Sequence, residues 1–292
     1  MQEIVVPAGE AAKKLENYLK KKFPIGYVRK LFRKNGIRLN GQRAKPDSAL
    51  RAGDRIQLYI PFELHASKPA HSSSQRAIEI IHEDESLLVV DKPAGLAVTE
   101  GKTVSKPDSL AGFIELKYQE RKFRPKLAHR LDKNTSGLIV FAKNESALAE
   151  LESQFENGNV AKEYLCLVVG RVPNMEGKID FPLPGRDGHL VRAVTHYRIV
   201  KRFSETTLMR VNIETGRLHQ IRLHFAKLGY PVVLDDQHGD FNFNKRFRKE
   251  YGLKRQFLHA AKLAIDFNGK RQNWTAPLAE DLERLLKIIE ND

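Results

Sequence analysis

The 292-residue chain contains one cysteine, Cys166. One cysteine cannot build an internal disulfide framework, so a reducing, cytoplasmic compartment is expected. No run of about 18 apolar residues occurs, which argues against a membrane-spanning helix. The opening residues, MQEIVVPAGE, show no basic segment followed by an apolar one, so no secretory signal is expected. No repeat of about 20–50 residues is visible. No HExxH or CxxC pattern occurs, and no metal is expected. Acidic residues are also scarce: 36 Asp and Glu stand against 50 Lys and Arg, a net charge of +14. Such a chain is drawn to polyanions. The excess is concentrated. Residues 1–60 hold fourteen basic and five acidic residues, +9 of that total. The plainer reading of such a charge run is a solvated, solubilising surface.

Residues 1–62 read as a small module. Leu15, Leu19 and Phe23 recur at four-residue spacing, one face of a helix that Pro24 closes. A second helix is expected at 27–34, with Val28, Leu31 and Phe32 on one side and basic residues over much of the rest. Asn35-Gly36 suits a left-handed C-cap. Ile37-Arg38-Leu39 alternates like a strand, Asn40-Gly41 is a two-residue hairpin signal, and a further strand is expected at 55–60. The order is helix, helix, hairpin, strand. Residues 63–77, rich in Pro, Ser, His and Ala, read as a linker. From Ile78 to the end, strand-like runs appear at 78–82, 87–91, 137–142, 163–170, 194–201, 207–214 and 258–267. Helical patterns appear at 109–122, 145–157, 219–228 and 278–289. The fold class expected for 78–292 is α+β, with a mixed, mainly antiparallel sheet.

Four stretches carry candidate chemistry. In Leu127–Lys143, polar residues around Asp132 crowd a turn before an apolar strand, a rigid way to present one carboxylate. A turn merely capped by Asp, Asn and Ser is the alternative. In Gly216–His224, an arginine could pair with a carboxylate from another segment. Its His219 and His224 are five apart, one more than two ligands on one helix face require. Lys92, in Asp91–Leu96, could touch phosphate or simply brace a turn. Tyr164, opening a strand, could face a site or only pack.

Taken together and in order, these stretches resemble the RluA family of pseudouridine synthases. His129-Arg130-Leu131-Asp132 followed by Thr135-Ser136-Gly137 matches the family's HRLDxxTSG signature. Lys92-Pro93-Ala94-Gly95, Lys162-Glu163-Tyr164, Gly216–His224, Leu258-His259-Ala260 and Ala276-Pro277-Leu278 resemble its other elements. The likeness spans about residues 78–290. Residues 1–60 are similar to the RNA-binding domain of ribosomal protein S-four, through Arg38-Leu39-Asn40-Gly41 and Gly53-Asp54. That pairing of domains resembles the large-subunit ribosomal RNA synthases, and Asp235–Asp240 the C-type branch of that set. Leu218 stands where the family has threonine, His238 where it has tyrosine, and Lys14-Leu15-Glu16 where Arg-Leu-Asp is common.

The resemblance implies an isomerase that turns uridine into pseudouridine within RNA. Asp132 is then the nucleophile or base. A free aspartic acid titrates near about 3.9, so such a residue needs positioning more than activation. Arg222 is expected to pair with it and Tyr164 to pack on the uracil and help remove its carbon-five proton. Arg130 is expected to fill the place left by the flipped base, and His129 and Lys92 to contact RNA beside it. Arg29, Arg33 and Arg38 of the small module are expected to hold phosphates. The reaction moves no electrons, so no cofactor is implied. The partner expected is large-subunit ribosomal RNA, bound by a monomer. Alternatives are a transfer RNA enzyme of the same family, a non-catalytic ribosome-assembly factor, and a glycosylase using Asp132.

Overall fold

The computed structural model describes residues 2–10, 13–23, 25–59, 78–101, 104–185 and 187–291. The chain divides into two compact units, Met1–Ser74 and Gln75–Asp292. The expected linker at 63–77 lies outside the described residues.

The first unit contains β1 (Gln2–Val5), α1 (Leu15–Lys22), α2 (Ile25–Arg33), β2 (Ile37–Leu39), β3 (Gln42–Arg43) and β4 (Arg55–Leu58). Its antiparallel sheet has the order β1-β4-β2-β3. The strand β1 precedes the expected elements, a four-residue piece too short to show a pattern. Leu15 and Leu19 of α1 and Val28 and Leu31 of α2 are buried together with Ile37, Ile56 and Leu58. Asn35 is left-handed, φ 51°, as a C-cap requires, and the Gly36 N–H returns to the Leu31 carbonyl. Asn40 and Gly41 both have positive φ, the signature of a type I′ hairpin turn. Arg29, Arg33 and Arg38 are exposed, and Arg38 lies over the ring of Tyr59 at 5.0 Å.

The second unit opens with β5 (Glu79–Glu83), β6 (Leu87–Lys92), α3 (Leu110–Lys117), β7 (Lys126–Leu127), β8 (Ser136–Ala142) and α4 (Glu145–Glu156). It continues with β9 (Ala161–Val169), β10 (Glu176–Asp180), β11 (Leu183–Pro184), β12 (Leu190–Val191), β13 (Val194–Arg202) and β14 (Thr206–Ile213). It ends with α5 (Gln220–Lys227), α6 (Phe241–Tyr251), β15 (Leu258–Phe267), β16 (Lys270–Thr275) and α7 (Glu280–Ile289). The large sheet has the order β10-β13-β14-β9-β15-β8-β6-β5, with β16 on β15 and β7 on β8. Among the described strand pairs of this sheet only β15–β8 is parallel, so the sheet is mixed and mainly antiparallel, in an α+β unit.

Both faces are covered. Leu88 and Val90 of β6 join one cluster, with Ile114 and Phe225. Leu87 and Val89 join the other, with Ala147 and Leu151 of α4. All seven residues of β8 are buried, which is why it reads as an unbroken apolar run. The β15–β8 contact is very close: a Cβ on Gly137 would meet the Ala260 carbonyl oxygen at 2.2 Å, and φ there is +113°. Glycine is thus required at the second residue of β8, just after the Asp132 turn.

Several expected bounds shift. The helix expected at 109–122 stops at Lys117, where the Tyr118 N–H caps it and its hydroxyl turns to Glu83. The helix expected at 219–228 starts at Gln220, because His219 takes φ 53°. The helix expected at 278–289 starts at Glu280, behind Pro277. The helix α6 and the strands β10 and β16 stand where no element is expected.

Candidate active site

Asp132 sits in the turn between β7 and β8. The Thr135 N–H donates to its carbonyl, 3.1 Å, which closes the turn. Buried side chains clamp this turn from the core side. Gln256 donates to the Thr135 hydroxyl at 2.8 Å. Arg255 reaches the Ser136 hydroxyl at 3.1 Å and is itself held by two 2.7 Å bonds to Asp281. Ser136 and His259 share a 2.9 Å hydrogen bond. Neither Arg255 nor Asp281 carries a sequence signal of this role; both follow from packing between distant segments.

Two expected RNA contacts are corrected by their surroundings. Lys92 is fully buried, and its ammonium donates to the carbonyls of Pro93, Leu96 and Lys133 at 2.9, 2.9 and 3.1 Å. Three acceptors match its three N–H groups. Burial, with Arg255 nearby, draws its pKa down to about 7, against the pull of Asp132 and Asp91. Lys92 is a brace joining the β6 turn to the Asp132 turn, not a phosphate contact. His129 accepts the Val140 N–H on Nε2, 3.0 Å, and stacks on Phe155 at 4.5 Å. Burial, aided by the charge of Lys162, pushes it down to about 3, so it is neutral and its acceptor is occupied by backbone.

Arg222, on α5, pairs with Asp132 as expected: its Nη1 lies 2.9 Å from Oδ2, ninety residues apart in sequence. The same guanidinium grips Asp235 at both ends, Nε to Oδ2 and Nη2 to Oδ1, each 2.7 Å. Asp235 has no exposure, and the Arg222 side chain has 4%. Burial works against the Asp235 carboxylate. Arg222 and the N–H groups of His238 and Gln237 outweigh it and hold its pKa below the usual range. So Arg222 bridges an inner, fixed aspartate and an outer one that is 20% exposed. His219 stands on the other side of Asp132, Nε2 to Oδ1 3.7 Å, and shares a 3.0 Å hydrogen bond with His238. Burial draws the His219 pKa down, with Arg222 and His238 adding to this and Asp132 opposing it. The roles of Asp235 and His238 were accessible only as a stretch of likeness, since nothing in spacing shows which cation a buried carboxylate meets.

Asp132, His219 and Arg222 line a small, open pocket of about 80 Å³. Leu131, Ile213, Ile221 and Leu258 give it apolar walls, with Tyr164 beside Asp132 and Arg222. Burial first, and the charge of Asp132 second, push the Tyr164 hydroxyl up, so it stays protonated at neutral pH. Arg130 is exposed at the pocket and makes no ion pair with a described residue. A flat apolar ring with polar edges fits such walls, under one carboxylate held by a fixed cation.

The sequence model of the RNA pseudouridylate synthase family matches residues 86–227. Over 99% of this chain and 96% of its own length, the ribosomal large subunit pseudouridine synthase C of Salmonella typhimurium is 33% identical. The chain belongs to the RNA pseudouridylate synthase family. The synthase is likewise 31% identical to the protein of that name from Vibrio vulnificus, over 99% of the chain and 96% of the relative. In fold, it matches human RNA pseudouridylate synthase domain containing 4 with a TM-score of 0.62, over 77% of this chain and 96% of that one, at 23% identity. The synthase is therefore an RNA isomerase. Among its described residues no helix is long and apolar enough to cross a membrane, and no group of three His, Cys, Asp or Glu is arranged to hold a metal.

One further feature fixes the pocket wall. The buried Asn244 of α6 accepts the Leu234 N–H and donates to the Asp235 carbonyl, both at 2.8 Å. Gly239 lies under this link: a Cβ there would meet the Asp235 carbonyl oxygen at 2.3 Å and the Asn244 amide nitrogen at 2.6 Å. Asp240 then caps α6. The segment that holds Arg222 is thus tied directly to the first turns of α6.

Proposed function

We propose that this synthase isomerises uridines of large-subunit ribosomal RNA, with Asp132 as its catalytic carboxylate. The pairing of Asp132 with Arg222 inside an apolar pocket beside Tyr164 is the observation that carries the chemistry. The names of relatives that align over nearly the whole chain support the substrate.

The reaction breaks the C1′–N1 bond, turns the uracil and forms a C1′–C5 bond, while carbon five gives up its proton and N1 takes one up. The target base first leaves its stack, at a cost of a few kcal/mol, and Arg130 fills the gap. Its planar guanidinium can stack and hydrogen-bond to the orphaned partner. Asp132 opens the glycosidic bond, whether by attack on base or sugar or by taking a ribose proton. Every route needs a carboxylate aimed at the nucleoside, and Arg222 holds it in place by pairing. Tyr164 packs on the uracil. Because its hydroxyl is protonated, it can carry the carbon-five proton only as a relay, giving up one proton as it takes another. The test is release of tritium from carbon-five-labelled uridine in deproteinised large-subunit ribosomal RNA. Faster release from transfer RNA, or none from either, rejects the assignment. Pseudouridines missing from ribosomal RNA of cells without the protein would name the positions.

The basic N-terminal unit supplies affinity through phosphates. Arg29 and Arg33 are four apart on α2, and all three candidate arginines are exposed. Replacing Arg29, Arg33 and Arg38 by glutamate should weaken RNA binding and lower the slope of log affinity against log salt by about 0.7–0.9 per lost phosphate contact. An unchanged slope in filter binding rejects this role.

A further inference from the structure

The outward face of α6 has a composition that its fold does not require. Phe243, Asn244 and Phe247 face the core. On the opposite side, Lys245 follows Phe241 by four residues, and Arg248 and Lys249 follow Lys245 by three and four, so they share one stripe. Phe241 is 63% exposed, among the most exposed large apolar residues described. Its neighbour Asp240 already caps the helix, and burial of α6 is complete without it.

The cations are equally telling. Arg246, off this stripe, is neutralised by Glu205 at 2.8 Å. Lys245, Arg248 and Lys249 are exposed and make no ion pair with a described residue. A helix made soluble by ordinary means mixes signs on its exposed face, whereas here the one acid of α6, Glu250, lies off the stripe. An exposed ring followed by unpaired cations is the composition that stacks a base and tracks a phosphate chain.

Its position gives this face a purpose. The start of α6 is tied through Asn244 to Asp235, which holds Arg222, and His238 between them touches His219. Phe241 is therefore the first residue of a rigid element that leaves the pocket wall. The helix has eleven residues, about 16 Å of length. Its N-terminal end, the positive end of the helix dipole, lies at Phe241.

We propose that this face of α6 binds the RNA strand flanking the target uridine, with Phe241 stacking an unpaired base next to it and Lys245, Arg248 and Lys249 following the phosphates. The proposal rests on the reading of the pocket as the uridine site, and it adds a catalytic-unit surface to the N-terminal one.

The test is equilibrium binding of a fluorescent oligouridylate and of deproteinised large-subunit ribosomal RNA by the full chain, across a salt series, without turnover. Phe241→Ala should weaken binding on the order of tenfold with an unchanged salt slope, as expected for one lost base stack. Phe241→Trp should restore it. The triple variant Lys245→Glu, Arg248→Glu, Lys249→Glu should lower the salt slope by about two, since each single-strand contact contributes roughly 0.7. The control is Lys178→Glu, Lys270→Glu, Lys287→Glu, the same change of net charge on other elements. If the control alters slope and affinity as much as the α6 triple, the cations act only through net charge and the proposal fails. Wild-type affinity in Phe241→Ala removes the stacking half, and that variant decides the matter even if the triple variant folds poorly. Binding effects without pseudouridine formation in any RNA would reject the uridine-site reading and leave the surface standing. Normal isomerisation with wild-type binding in every α6 variant would do the reverse.

Discussion

Asp132→Ala should lower tritium release by about 10⁴-fold, the upper end of what a single proton-transferring group contributes, while RNA binding and thermal stability stay near wild type. The separation follows from the other carboxylates on Arg222, Asp235 and, at 3.5 Å, Asp236. The inner one, Asp235, keeps both of its 2.7 Å bonds when Asp132 is cut away, so the buried cation retains a partner. Asp132 itself is partly exposed, and water can take its place at Nη1. Asp132→Asn keeps the shape and loses the charge, and should be as inactive as alanine. Asp132→Glu keeps the charge but moves it by one methylene, and a displacement near 1 Å costs about 10²-fold in an aligned site. The ranking Asp, then Glu, then Asn with Ala distinguishes a reacting carboxylate from a turn cap. As a cap, Asn would be the best substitute. Equal release by wild type and Asp132→Ala would sink the assignment, and a collapse of RNA binding in Asp132→Ala would turn it into a structural residue.

The sequence shows the sheet well and its rim poorly. Strands buried on both faces, such as β6 over Leu87–Val90 and β8 over Leu138–Ala142, appear as apolar runs because side chains on both sides meet the core. The turn at Asn40-Gly41 is legible because both residues must take positive φ. The edge strand β16, KRQNWT, buries only Trp274 and has no apolar alternation to detect. The helix α6 was in fact legible: Asp240 before it, Phe243 and Phe247 four apart and Gly252 after it are start, face and stop. Its four basic residues draw the eye to charge and away from that period.

For the site, ordered motifs identify Asp132, Tyr164 and Arg222, whose side chains the pocket brings together. What motif order cannot reveal is whether a polar residue points out or in. Lys92 and His129 flank the same turn as Arg130, yet only Arg130 is exposed. The difference is tertiary. Three carbonyls, from the turn after β6 and from the Asp132 turn, converge on Lys92, and the N–H of Val140 in β8 meets His129. Asp235 is concealed for the same reason. Its exposure is zero because α6 is tied over it by Asn244, and no local pattern encodes that closure.

Asp235→Asn should be the most destabilising single change at the site, by about 3–5 kcal/mol at neutral pH, because it breaks a buried pair and leaves a cation without its inner partner. The amide of asparagine also turns an N–H group toward the arginine fork, which has donors only. The variant should bind uridine RNA but isomerise it on the order of 10²-fold more slowly, since Nη1 is aimed at Asp132 only while the other two nitrogens are held. Arg222→Lys should lose activity to at least this extent: one ammonium cannot reach two carboxylates in the planar geometry of the guanidinium. The effect of pH has a definite sign. The Asp235 pKa is lower in the folded state than in the unfolded one, where it is about 3.9. Its contribution is therefore fully present above about pH 5, and is lost as pH falls through the folded pKa, because the unfolded state takes up the proton first. The stability gap between wild type and Asp235→Asn should accordingly be widest at neutral pH and shrink in acid. Urea unfolding at pH 7 and at pH 3 measures both points. A variant as stable as wild type at pH 7, or a gap that widens toward pH 3, contradicts the picture of Asp235 as the ionised anchor that fixes Arg222 against Asp132.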